Sequence, residues 1–98
     1  MTVQITDEEK QIVQNILTKY APDCAVWVFG SRAKNTASKY SDLDLALVGN
    51  KPLSLQKMAD LNEAFSESDL IWKVDIIDYL NTSDEFRKII DKDKTVLK

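Results

Sequence analysis

The segment Trp27–Val48, WVFGSRAKNTASKYSDLDLALV, constrains this chain more than any other. Its first half continues an apolar run, Ala25–Phe29, that stops at Gly30-Ser31. A run with no polar residue on either face suits a strand in a central, covered position of a sheet. The second half, Asp42–Val48, reads as another strand, closed by Gly49-Asn50 and Pro52. Strand alternation puts Leu43, Leu45 and Leu47 on a core face and Asp42 and Asp44 together on the other. The two carboxylates are then about 7 Å apart along the strand and repel by about 2 kcal/mol at an effective dielectric of 20. A fold accepts that on a half-buried strand when something cationic sits between them.

Donor chemistry narrows what that cation is. Oxygen-only ligands select hard ions, Mg²⁺ or Mn²⁺, over zinc. A third acid on a neighbouring strand completes a two-ion site, and Asp75 in Val74-Asp75-Ile76-Ile77-Asp78 is the candidate. Asp78, three residues on, points to the opposite face. Gly30 lets backbone approach a ligand closely, and the N–H groups after it suit phosphate oxygens if a helix starts there. Ser31 adds a hydroxyl, while Arg32, Lys34 and Lys39 add cations, Arg32 being able to fork onto phosphate. Alone, an Asp-x-Asp pair is most often a solvated edge and a Gly-Ser pair an ordinary turn. GxxxxGK and GxGxxG are both absent.

The remaining elements serve as support. Thr6-Asp7-Glu8-Glu9 is a capping box for a helix with Ile12, Val13, Ile16, Leu17 and Tyr20 on one stripe, ended before Pro22. Ser31–Ala37 forms a short helix or turn. Ser54 caps a helix from Leu55 to about Phe65, with Leu55, Met58, Leu61 and Phe65 inward. Trp72–Tyr79 is a third strand. Thr82 and Glu85 pair in a second capping box, for a helix ending near Lys92. The order α-β-(short α)-β-α-β-α predicts a single α/β (α+β) domain over residues 1–98, a small mixed sheet of three or more strands flanked by helices.

Composition removes several classes of function. With no histidine and one cysteine, Cys24, there is no Ser-His or Cys-His catalysis, internal disulfide or Cys-rich zinc site. A net charge of −3 argues against a surface for long nucleic acid. No apolar run is long enough to span a bilayer, and the N-terminus lacks a signal-peptide layout. A cytoplasmic location follows by default.

Gly30-Ser31, ten residues, then Asp42-Leu43-Asp44 resembles the GS-x10-DxD signature of the DNA polymerase β-like nucleotidyltransferases, and GSRA and SDLDLAL look like its minimal, stand-alone members. The resemblance covers nearly the whole chain. It implies that Asp42, Asp44 and Asp75 are catalytic and hold two Mg²⁺ ions, while Gly30, Ser31 and Arg32 hold the triphosphate of ATP. It further implies a helical HEPN-domain toxin as partner in a hetero-oligomer, with the nucleotidyltransferase as antitoxin of a type VII-like pair. AMP would pass to a tyrosine hydroxyl of the toxin, releasing pyrophosphate. Competing expectations are a nucleotide-binding antitoxin that neutralises its partner by occlusion, and transfer to a small molecule or an RNA 3′-end. About twenty residues follow Asp75, so the acceptor site is expected from a partner chain. Trp72 and the last helix are candidates for docking it, with core packing an equal alternative for Trp72.

Overall fold

The computed structural model describes residues 5–34, 36–38 and 40–97. Three helices and four strands follow in the order α1 (Asp7–Tyr20), β1 (Ala25–Phe29), β2 (Leu43–Val48), α2 (Leu55–Ser66), β3 (Val74–Asp78), α3 (Asp84–Asp93) and β4 (Thr95–Val96), with a 3-10 turn at Tyr79–Asn81. The strands form one mixed sheet in the order β3-β2-β1-β4. β1 pairs antiparallel with β2 and β4, and β2 runs parallel to β3. A parallel pair needs a crossover, and α2 supplies it.

Alternation along the strands separates two cores. Val26 and Val28 of β1, Leu43, Leu45 and Leu47 of β2, and Val74 of β3 face Val13 and Leu17 of α1 and Leu61 and Phe65 of α2. The other face carries Phe29 and Ala46, covered by Ile90 of α3, with Trp27, Ile77, Tyr79 and Phe86 around them. Phe29 meets Phe86 edge-on at 5.7 Å between ring centroids. The strand expected at Asp42–Val48 therefore has its leucines where alternation put them, and starts one residue later.

Local chemistry sets the helix ends. Thr6 accepts from the Glu9 N–H at 3.1 Å, and Glu9 accepts from the Thr6 N–H at 2.9 Å, which closes the first capping box. Ser54 caps α2 by accepting from the Lys57 N–H. The second capping box is corrected: Ser83, not Thr82, caps α3, accepting from the Phe86 N–H at 3.3 Å. The Thr82 hydroxyl donates instead to the Asp78 carbonyl at 2.9 Å. Leu55 is also corrected, since it is 90% exposed rather than inward. It is the first residue of α2, nearly two turns before Leu61 reaches the core.

Asp78 is on the face opposite Asp75, as expected, and it is structural. It is buried, with Oδ2 accepting from the Leu53 N–H at 2.7 Å and Oδ1 from the Leu80 N–H at 3.3 Å. It thereby joins the end of β3 to the chain entering α2. Asp78→Ala orphans two backbone donors at a cost of about 2–3 kcal/mol. The expected result is a Tm lower by about 10 °C or more in thermal unfolding.

Candidate active site

β1 and β2 bring the two halves of the predicted site together. In their register Phe29 is opposite Asp44, so Gly30, the next residue, turns directly beside that carboxylate. Gly30 has φ +75°, and a Cβ built on it would collide with Asp44 Oδ2. No other residue type fits both constraints. The Ala33 and Lys34 N–H groups donate back to the Gly30 carbonyl at 3.2 Å, and the Thr36 N–H to the Ser31 carbonyl at 2.9 Å. Residues 31–34 are therefore a tight turn, the second of the two expected alternatives.

The third carboxylate arrives across the parallel ladder. Asp75 is the register partner of Asp44, on the adjoining strand. Neighbouring strands are about 4.8 Å apart, so the two project side by side. Asp42 lies one residue before β2 and is exposed. Burial, then Asp75, then Asp42 push the Asp44 carboxyl above its ordinary range. That is the signature of converging negative charge, and hard oxygen donors in such a cluster fit a divalent cation. Among the described residues no three acids already stand together at ion-holding separations. Asp75 is paired with Lys73, Nζ to Oδ1 at 3.1 Å. The hydrogen bond to Asp75 and the charges of Asp75 and Asp42 hold the Lys73 ammonium pKa above its usual value.

Arg32 sits differently from the sequence expectation. It is buried, and its Nε and Nη2 both donate to the Ser41 carbonyl, at 3.0 and 2.7 Å. Its guanidinium stacks on Trp72, 4.4 Å from the ring centroid. Burial lowers its pKa, against the opposing pull of Glu9 and Asp42. Trp72 in turn donates from Nε1 to Glu9 Oε2 at 2.9 Å. One Glu9 carboxylate thus closes the cap of α1 and begins a chain, Glu9–Trp72–Arg32–Ser41, that ends one residue before Asp42. Trp72 is accordingly core, 6% exposed, and the docking expectation for it is corrected.

The loop has a second tether, since Lys34 pairs with Asp93 at the end of α3 at 3.7 Å. Lys39 lies outside the described residues. Sequence reasoning passed over Lys73 and Asp93, and it gave Glu9 its place in the capping box but not its contact with Trp72. For Lys73 a signal existed, because it stands two residues before Asp75 and so shares its face. For Glu9 and Asp93 none did, since their partners are distant in sequence.

A glycine-serine turn closed on one carboxylate, with two further acids beside it on a mixed sheet, is the arrangement of a nucleotidyltransferase. The chain matches the family Polbeta, described as polymerase beta, nucleotidyltransferase, over residues 10–98, and it belongs to that family. It is 49% identical, over 98% of its length and 91% of the relative's, to a Haemophilus influenzae protein described as a probable protein adenylyltransferase, MntA. Among solved structures it resembles a toxin–antitoxin with AMP-PNP (TM-score 0.78, 21% identity, covering 91% of this chain and 72% of that one). It also resembles a chain in the complex of a tri-AMPylated Shewanella oneidensis HEPN toxin with MNT antitoxin (TM-score 0.73, 18% identity, 96% and 72%). At these identities the structural likenesses establish the fold, a polymerase β-like mixed sheet with flanking helices. No helix among the described residues is long and apolar enough to cross a membrane.

Proposed function

We propose that this protein transfers AMP from ATP to a hydroxyl of a helical partner, a HEPN-type toxin, and acts as its antitoxin, with a toxin tyrosine as acceptor. The observation that carries this reading is the 49% identity, along nearly the whole chain, to a protein described as a probable protein adenylyltransferase. The toxin–antitoxin complexes sharing the fold, one with AMP-PNP and one with AMPylated toxin, supply the class of partner and nucleotide.

In this reading each residue has a physical task. Asp42, Asp44 and Asp75 are catalytic, and their carboxylates would hold two Mg²⁺ ions, with Mn²⁺ as a substitute. Those ions, when bound, supply Lewis-acid activation of the attacking hydroxyl and charge neutralisation at the departing pyrophosphate. Gly30 would present backbone, and Ser31, which is partly exposed, its hydroxyl, to the triphosphate. Arg32, being buried, serves the triphosphate by fixing the loop on Trp72 and Ser41 rather than by forking onto it. Phe29, the register partner of Asp44, packs edge-on against Phe86 and so anchors the start of the turn on the α3 face of the sheet.

Label position tests the reading. With ATP labelled at the α-phosphate, Mg²⁺ and the partner, label should enter the partner; with label at the γ-phosphate it should appear only in pyrophosphate. Label transferred from the γ position would mean phosphoryl transfer and sink the proposal. Occlusion without catalysis predicts instead that an Asp42, Asp44 and Asp75 triple asparagine variant protects cells from the toxin as well as the parent does.

A further inference from the structure

Lys73 immediately precedes β3, and its carbonyl accepts from the Leu43 N–H at 2.9 Å, so its backbone is fixed to the start of β2. Its side chain leaves on the Asp75 face. The ammonium is 3.1 Å from Asp75 Oδ1, while the Lys73 side chain remains 73% exposed. Among the described residues this is the one ion pair that engages Asp42, Asp44 or Asp75. No core contact explains it, because the stem is in solvent.

We propose that Lys73 is the built-in counter-ion of the carboxylate site, holding Asp75 until a divalent cation displaces it. The inference rests on the assignment of the three aspartates as ion ligands. An Asp75 oxygen engaged by an ammonium has to be released before it serves an ion fully, so Lys73 weakens ion binding by the protein alone. Once displaced, the ammonium stays on a long, flexible stem beside the carboxylates. The site therefore favours an ion that arrives with a triphosphate, whose oxygens offer the released ammonium a new partner.

The test is a titration of the isolated protein with Mn²⁺ alone, reading free Mn²⁺ by electron paramagnetic resonance. Lys73→Met should bind Mn²⁺ about two- to fivefold more tightly than the parent, the range expected for an exposed pair. Lys73→Arg, which can still pair with Asp75, should stay near the parent. Lys51→Met, beyond the far end of β2, controls for net charge and should also stay near the parent. The proposal is overturned if Lys73→Met binds with parental or weaker affinity, or if Lys73→Arg or Lys51→Met tightens binding as much. If those results come with clear Mn²⁺ binding by the parent, the carboxylate site itself stands. A parent that binds no Mn²⁺ overturns the ion assignment together with this proposal.

Discussion

Asp44→Asn should abolish AMP transfer while raising thermal stability. Loss of an outer-shell partner of a bound metal costs about 10- to 100-fold, so loss of a direct ligand is expected to reduce transfer by more than about 100-fold. The stability gain follows from the charge that the fold carries there. Burial, then Asp75, then Asp42 raise the folded-state pKa of Asp44 above that of an ordinary aspartate. A carboxyl raised on folding holds its proton more tightly folded than unfolded, so the charged form is a net cost. The cost is absent below the unfolded pKa, grows as pH rises from the unfolded to the folded pKa, and is complete above the folded pKa. Solvent screening at a partly exposed site brings the pairwise repulsion down to about 1 kcal/mol, or about 4–8 °C in Tm. Without divalent ions, then, Asp44→Asn melts above the parent at pH 7, and the gap closes as pH falls toward 4. Added Mg²⁺ raises the parent's Tm and leaves the variant's nearly unchanged. Calorimetry across pH, with and without Mg²⁺, checks both statements.

Gly30→Ala should damage stability and transfer together, for two separable reasons. A left-handed backbone costs a residue with a Cβ about 1–2 kcal/mol, and here φ is +75°. The new methyl also meets the Asp44 carboxylate, which has to move. A shift of about 1 Å in a reacting constellation can cost about 100-fold, so transfer should fall by that order even in protein that remains folded. The two causes separate in an Asp44→Ala background, where the carboxylate is gone. There Gly30→Ala should cost only the backbone term, so the pair is non-additive in stability. Equal costs in both backgrounds would mean that Gly30 and Asp44 are not in contact.

The same contact explains why this site was legible in the sequence. Its carboxylates lie on or beside two strands, β2 and β3, whose alternation pairs Asp42 with Asp44 and separates Asp75 from Asp78, and the β2–β3 register then sets Asp75 beside Asp44. What stayed hidden depended on partners distant along the chain. β4 is two residues long, too short to show a period, and exists because Trp27 and Val28 pair with it. Arg32 reads as a phosphate ligand from its neighbours, and only the fold brings Trp72 beneath it. Thr82 and Ser83 are both good caps by type. The choice fell to Ser83 because Asp78 already takes the Thr82 hydroxyl. Leu55 looked inward by spacing, but spacing does not say where a helix first meets the sheet.

In the function proposed here, the Gly30-Ser31 turn and the Asp42, Asp44 and Asp75 carboxylates form one AMP-transferring site directed at a partner protein. Intact-mass spectrometry of the helical HEPN-type partner, after incubation with this protein, ATP and Mg²⁺, tests it most directly. The expected result is an added mass of one or more AMP units on the partner, mapped to a tyrosine by fragmentation and absent with Asp44→Asn. An unmodified partner in a reaction that consumes ATP, or an adduct that persists with Asp44→Asn, would contradict it.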